Sequence, residues 1–146
     1  MRMIYVVGVD GSEGSHRALD FAKTQAKLMS KDVDLILVCV VEWSPYQFQT
    51  PEENENRKRR KIEEVEFANK RVIAPLMEML RKEGLQAEAF VAHGNFVDVL
   101  NEIAEQKNAS QIFISKFSAK KRRQRMFGDA TAQIIINTNI PVTIVN

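Results

Sequence analysis

The stretch MIYVVGVDGSEGSHRALDFA, residues 3–22, decides the fold. Its first seven residues are apolar and rich in β-branched side chains, which is typical of a buried strand. The polar segment DGSEGS, residues 10–15, then supplies a turn and a helix cap, at Ser12 or Ser15. Apolar residues recur after it with helical spacing, which predicts a helix packed on that strand. The members of this stripe are Ala18, Leu19, Phe21, Ala22, Ala26 and Met29.

The same alternation of apolar runs and helical patterns continues to the end of the chain. Strands separated by helices imply an α/β fold with a mostly parallel sheet and helices on both faces. Residues 1–146 are of a length that one domain spans, so we expect a single domain. The further elements predicted along the chain are strands at 33–41, 86–93, 110–115 and 141–145 and helices at 57–83, 95–107 and 129–138.

The middle of the chain carries two features that bear on these boundaries. Residues 42–56 hold two prolines and three aromatic residues and are predicted to be a loop. Pro75 lies inside the helical pattern of residues 57–83 and is expected to kink or split that helix, which Gly84 then ends. Asp129 is the expected N-cap of the last helix. The apolar stripe of the long pattern comprises Ile62, Val65, Ala68, Val72, Leu76 and Leu80.

Positive charge is local rather than global, because the net charge of the chain is only +2. The first cluster, RKRRK at residues 57–61, follows Glu53 and Glu55 at i,i+4 spacing and is interpreted as a solvated helix face. The second cluster has no acidic partners in its own loop and is open to two interpretations, a solvated loop or a contact with an anionic protein or nucleotide. No specific nucleic-acid motif accompanies either cluster. The second cluster consists of Lys120, Lys121, Arg122, Arg123 and Arg125.

Several kinds of site find no support in the residue types present. Cys39 is the only cysteine, and His16 and His93 lack nearby Cys or His partners, so no metal site is predicted. No nucleophile–base pair or carboxylate dyad is visible, so no catalytic residue is assigned. No apolar run approaches the roughly 18 residues of a membrane span. The N-terminus is interpreted as a first strand rather than a signal peptide, and a cytoplasmic location is expected.

A ligand site is expected at one edge of the sheet. In open parallel sheets, ligands bind beyond the carboxyl ends of the strands, where the strand order reverses. Three segments should meet there: GVDGS at residues 8–12, VVEW at 40–43 and SKFSAKKRRQRMFGDA at 115–130. Within the first segment, Asp10 is open to two interpretations, an Asx-type turn or a contact with a ligand.

The order and spacing of four segments resemble the universal stress protein family. They are VVGVDGSEGSHRALDFA at residues 6–22, LILVCVVE at 35–42, VAHGN at 91–95 and NTNIPVTIV at 137–145. The resemblance implies a Rossmann-like three-layer sandwich with a five-stranded parallel sheet in the order 3-2-1-4-5. It also implies a homodimer formed through the last strand, residues 141–145.

Nucleotide-binding members of that family carry the motif Gly-x2-Gly-x9-Gly-(Ser/Thr) after the fourth strand. The motif falls here on Ser115, Ser118, Gly128 and Asp129, so the spacing is intact while three of the four residue types differ. The two serines each add a Cβ where glycine lets main-chain N–H groups approach an anion. The carboxylate of Asp129 would occupy the helix N-terminus where phosphate should sit.

The residues that contact the base in the family are matched more fully in this chain than those of the phosphate motif. The resemblance implies contacts to adenine or ribose from Asp10 with the preceding Gly8 and Val9, from Val40 after the second strand, and from Ile114 before the motif. The resulting interpretation is a stress-response or signalling protein that acts through dimerisation and partner binding, with an altered phosphate loop. The alternative is an ATP- or AMP-binding sensor or a weak ATP hydrolase. The related electron-transfer flavoprotein and adenylylating-enzyme folds are disfavoured, because the chain is too short for their extra domains.

Overall fold

A computed structural model describes residues 2–29, 32–41, 51–116 and 130–146. Five strands and five α-helices follow one another in these ranges, and a π-helical turn separates the second helix from the third. The bounds are β1 Met3–Gly8, α1 Glu13–Leu28, β2 Val33–Val41, α2 Pro51–Ala68, the π-helical turn Asn69–Ile73, α3 Ala74–Lys82, β3 Ala87–His93, α4 Phe96–Gln106, β4 Gln111–Ser115, α5 Ala130–Asn137 and β5 Val142–Val145.

The five strands form one sheet in the order β3-β2-β1-β4-β5, and every neighbouring pair is parallel. Two apolar clusters cover its faces. One joins the sheet to α1 and to the segment from α2 to α3, and the other joins it to α4 and α5. The α/β fold, the strand order and the helices on both faces are therefore as expected from the sequence.

The central strands are uniformly apolar because both of their faces are buried. Val6 and Val7 of β1 point to opposite clusters, and neither is accessible to solvent. The same holds for Ile112 and Phe113 of β4. Burial of each such side chain contributes about 1.5–3 kcal/mol, so these strands supply much of the stability that holds the crevice described below in place.

Helix α2 begins at Pro51, so the predicted loop at residues 42–56 is wrong over 51–56, while 42–50 lie outside the described residues. A proline suits the first turn of a helix, because the N–H that it lacks would have no partner there. The side chain of Ile62, predicted on the apolar stripe, is 60% exposed. It lies about 120° around the helix from the buried Ala68 and therefore misses the sheet.

Two members of the stripe predicted on α1 are also exposed, namely Phe21 and Met29. Phe21 lies to one side of the buried row, and its ring is tilted against that of Phe113 at 6.1 Å between centroids. Met29 is the C-cap residue, beyond the last turn that packs on the sheet. The buried row itself, Ala18, Leu19, Ala22 and Ala26, is as predicted.

The expected interruption at Pro75 is confirmed. The N–H of Ala74 bonds to the carbonyl of Asn69, five residues back, so the helix widens into a π-helical turn directly before the proline. Gly84 then ends α3 with a φ of 76°, and the N–H of Leu85 bonds to the carbonyl of Leu80 at 3.0 Å. This is a Schellman termination, which favours glycine. Among the described residues, no helix has the length and apolar character needed to cross a membrane.

An ion-pair cluster ties α1 to the end of α3. The Nζ atoms of Lys23 and Lys27 lie 3.1 and 3.0 Å from the two carboxylate oxygens of Glu83. The hydrogen bonds from Lys27 and then Lys23 hold the pKa of the Glu83 carboxyl below its ordinary value. The folded state therefore favours ionised Glu83, and this contribution to stability is present above the ordinary carboxyl pKa and is lost as the pH falls through the lowered one.

We expect Glu83→Gln to lower the free energy of unfolding at pH 7 by about 0.5–1 kcal/mol, because the pairs are partly exposed. The difference from the wild type should shrink as the pH falls below the ordinary carboxyl pKa and vanish below the lowered pKa of Glu83. Urea unfolding at several pH values measures it. Glu105→Gln, an exposed α4 residue without an ion pair to the described residues, is the matched control. A deficit that stays constant across that pH range would contradict the prediction.

Candidate functional site

The strand order creates a crevice between the carboxyl ends of β1 and β4. These strands are neighbours in the sheet, but they are first and fourth in the chain. From β1 the chain continues into α1 on one face of the sheet, while α5, which follows β4 in the chain, packs on the other face. The two helices therefore lie on opposite faces, which is the arrangement that places a ligand crevice at the strand ends of open parallel sheets.

Asp10 closes the turn that leaves β1. Its Oδ1 accepts a hydrogen bond from the N–H of Ser12 at 2.9 Å, and Gly11 between them has a φ of 84°. The N–H of Asp10 bonds to Oγ of the buried Ser15 at 3.2 Å, so the chain has turned away from the ladder of β1. The Asx-type turn is therefore confirmed. The second carboxylate oxygen of Asp10 takes part in no hydrogen bond with the described residues and keeps its accepting capacity.

Ser12 and Ser15 divide the capping of α1 between them. Ser12 Oγ accepts the N–H of Ser15 at 3.1 Å and is the N-cap. The hydroxyl of Ser15 donates back to the carbonyl oxygen of Ser12 at 3.1 Å. The turn from Asp10 into the helix is thus held by side-chain oxygens on both sides, which fixes the carboxylate of Asp10 beside the crevice.

Val40 presents its main chain to the crevice. The ladder between β1 and β2 ends where Gly8 faces Val38, and the N–H of Val9 bonds to the carbonyl of Val38 at 2.9 Å. Alternate residues of a strand direct their N–H and C=O groups to the same neighbour, so those of Val40 face the same side beyond this last rung. Val40 as a whole residue is 8% exposed, and its side chain belongs to the cluster under α4 and α5, so its N–H and C=O are the groups that it can offer to a hydrogen-bonding ligand.

The end of β4 forms the other side of the crevice. The N–H of Lys116 bonds to the carbonyl of Val145 at 2.9 Å, so the main chain of Lys116 faces β5 and that of Ser115 faces β1. Ser115 is half-buried, whereas the side chain of Ile114 is 2% exposed and belongs to the cluster under α4 and α5. Ile114 therefore has little side-chain surface left for a ligand.

The ring of Phe96 packs over Gly8 on the α4 side of the sheet. A Cβ on Gly8 would lie 3.1 and 3.3 Å from Cζ and Cε1 of Phe96, and 3.5 Å from Cγ2 of Ile114. Gly8, which we predicted as a nucleotide contact, is thus required for the close approach of an aromatic ring. Phe96 was not predicted as a site residue from the sequence, although a glycine inside a buried strand indicates that another group packs closely against the main chain there.

His93 has a partner away from the crevice, and several of the predicted contacts cannot be placed. His93, at the end of β3, pairs with α2 through Nε2, which lies 3.0 Å from Oε1 of Glu64. No group of three metal-binding side chains occurs among the described residues. The remaining predicted contacts lie outside the described ranges, and they are Ser118, Gly128, Asp129, Lys120, Lys121, Arg122, Arg123 and Arg125.

The family assignment follows from a match along the whole sequence. The sequence profile of the universal stress protein family matches residues 1–146. The chain belongs to the universal stress protein family. No curated protein matches the chain.

Solved structures share the fold of this universal stress protein at low sequence identity. Hypothetical protein MJ0577 has a TM-score of 0.79 and 23% identity, with 99% of this chain and 96% of that one covered. A universal stress protein in complex with cAMP has a TM-score of 0.62 and 21% identity, covering 99% and 97%. A universal stress protein from Archaeoglobus fulgidus in complex with dAMP has a TM-score of 0.59 and 23% identity, covering 100% and 98%.

We expect Gly8→Ala to lower the free energy of unfolding by about 1–3 kcal/mol, because the new Cβ displaces the ring of Phe96. The cost should fall by at least half in a Phe96→Leu background, since leucine lacks the two ring atoms that meet the Cβ. Double-mutant urea unfolding measures this coupling. Gly84→Ala is the control, because that position is open but has a positive φ, so its cost of about 1 kcal/mol should not depend on residue 96. Equal costs of Gly8→Ala in both backgrounds would refute the packing role.

Proposed function

We propose that this universal stress protein binds an adenine mononucleotide in the crevice between β1 and β4 and acts on partner proteins as a homodimer. The observation that carries the proposal is the main chain of Val40, whose N–H and C=O face the crevice beyond the last β1–β2 rung. The edge of adenine offers one acceptor, N1, beside one donor, the 6-amino group. A main-chain N–H and C=O on one residue complement this pair.

The carboxylate of Asp10 supports the ribose part of the proposal. It is half-buried, and one of its oxygens is held by the N–H of Ser12. The other oxygen can accept a hydrogen bond from a ribose hydroxyl, and a charged acceptor makes that bond stronger than a neutral one would. Base and ribose are thus matched by groups that the turn after β1 and the end of β2 hold in place.

The altered phosphate loop favours a short phosphate chain over a long one. Ser115, Ser118 and Asp129 stand where nucleotide-binding relatives have two glycines and a Ser or Thr. An aspartate beside a triphosphate adds like-charge repulsion, which a monophosphate placed farther from it avoids. The structures of two relatives contain cAMP and dAMP, which are both monophosphates, and this supports the same preference.

ATP binding with slow hydrolysis is the second candidate function. The intact nine-residue spacing between Ser118 and Gly128 favours it, as do the five cations in that spacer, which would offset the charge of a triphosphate. We assign no catalytic residue to this hydrolysis.

Two further parts of the proposal concern the chain as a whole. The same five cations are our proposed contact for an anionic partner. We also propose that residues 1–146 form one domain.

The edge of the sheet supports the homodimer. Carbonyls of Pro141 and Val145 accept hydrogen bonds from β4, at 2.8 and 2.9 Å, so the main chains of the alternate residues Val142 and Ile144 face outward. The side chains of β5 are only partly buried. An apolar edge strand of this kind invites pairing with another strand, and a second copy of β5 is the partner we propose.

Isothermal titration calorimetry tests the nucleotide site. We expect AMP to bind more tightly than ATP, and Asp10→Asn to weaken AMP binding about five- to tenfold, which corresponds to the loss of one charge-assisted hydrogen bond. The asparagine keeps an acceptor for the N–H of Ser12, so the turn should survive. Asp20→Asn, at an exposed position of α1, should bind AMP like the wild type. Absence of any adenine nucleotide binding by the wild type would refute the proposed site.

Sedimentation velocity tests the dimer. The wild type should sediment at about twice 16.7 kDa, and Ile144→Pro should shift it toward the monomer, because proline removes an outward N–H that bridges the two copies. Ile144→Val is the control for lost volume, since it keeps that N–H, and it should remain dimeric. A wild type that stays monomeric at high concentration would contradict the proposal.

A further inference from the structure

We propose that Phe96 is the wall of the crevice against which the base of the ligand stacks, and that it makes the site select nucleotides over sugar phosphates. The inference rests on the proposed nucleotide site and assigns its base selectivity to one side chain. It is carried by the position of the ring and by the exposure of Phe96 compared with that of its neighbours.

The start of α4 fixes where the ring lies. Phe96 is the first residue of that helix, and the side chain of Asn95 caps it by accepting the N–H of Asp98 at 3.1 Å. Ring atoms of Phe96 then come as close to Gly8 as the missing Cβ allows. Because Val7 faces Phe113 in the ladder, Gly8 is level with Ile114, and the ring lies over the last residue of β1 beside Ile114 of β4.

Phe96 keeps apolar surface at this end of the α4 face. Gly8, Val40 and Ile114 are all buried, whereas Phe96 is only partly so. A planar base that reaches the main chain of Val40 from the open end of the sheet therefore meets the ring of Phe96 rather than the side chains of Val40 or Ile114. Bases stack favourably on aromatic side chains regardless of their hydrogen-bonding pattern.

The glycine at position 8 holds the ring back from the space that the base needs. Any larger residue there would push the ring outward, since a Cβ would already lie 3.1 Å from Cζ. Position 8 and position 96 thus act together, with Gly8 as the positioning residue and the ring of Phe96 as the contact.

The test compares AMP with ribose 5-phosphate, which lacks the base. Calorimetric titrations use the wild type, Phe96→Leu, Phe96→Tyr and Phe90→Leu. We expect Phe96→Leu to weaken AMP binding about tenfold, by loss of one stacking contact, and to change ribose 5-phosphate binding less than about twofold. Phe96→Tyr keeps the ring and should retain AMP affinity. Phe90→Leu makes the same size change at a partly buried ring on β3, where Lys107 lies 5.2 Å above the centroid, and should leave both affinities unchanged.

The outcomes separate this inference from the function on which it rests. If the wild type binds no adenine nucleotide, the proposed function fails and the inference falls with it. If the wild type binds AMP but Phe96→Leu matches it, or weakens AMP and ribose 5-phosphate equally, the site stands and the role of Phe96 is refuted. Thermal melts of all variants show whether a loss of affinity reflects unfolding, and a Phe96→Leu effect on AMP that Phe96→Tyr does not rescue also overturns the inference.

Discussion

The pairing of β1 with both β2 and β4 is the constraint on which the rest of the structure depends. From β1 the chain lays its next two strands on one side and its last two on the other, giving the order β3-β2-β1-β4-β5. Parallel connections are right-handed, so a reversal of direction sends the later helices to the opposite face. The two apolar clusters and the crevice above β1 and β4 both follow from this single reversal.

The same burial that stabilises the sheet determines which groups the crevice can offer. The side chains of Val40 and Ile114 are incorporated in the core, so the strand ends contribute mainly main-chain groups. Polar chemistry comes from the turn after β1, where Asp10 and Ser12 are bonded to one another. Aromatic surface comes from the start of α4, which reaches Gly8 because that residue has no side chain. Our proposal that the site binds a flat heterocycle by its edge and face rests on these groups and on no cluster of charged side chains.

The crevice and the β5 edge of the sheet are connected through the same two elements, β4 and α1. β4 borders the crevice through Ser115, and the N–H of the next residue, Lys116, bonds to the carbonyl of Val145 in β5. Helix α1 begins at the Asp10 turn, and Nε of its Arg17 donates to the carbonyl oxygen of Asn146 at 2.9 Å, just past β5. Helix α1 and strand β4 therefore each connect the proposed ligand site with the strand that we propose as the dimer edge.

The sequence by itself determined the succession of elements, because each depends on local periodicity and local chemistry. The strand at 33–41, the Ser12 cap and the end of the helix at Gly84 are each determined by a short local segment. The strand order was predicted from the resemblance to universal stress proteins. Tertiary structure alone decided which apolar residues were covered: Ile62 matches the periodicity of its neighbours, yet it lies outside the contact with the sheet. The start of α2 at Pro51 instead agrees with a local rule, because a proline suits the first turn of a helix. Above all, tertiary structure placed Phe96 on Gly8, two residues almost ninety positions apart in the chain. This contact arises because α4 crosses over the sheet. The periodicity within one segment holds no information about that crossing.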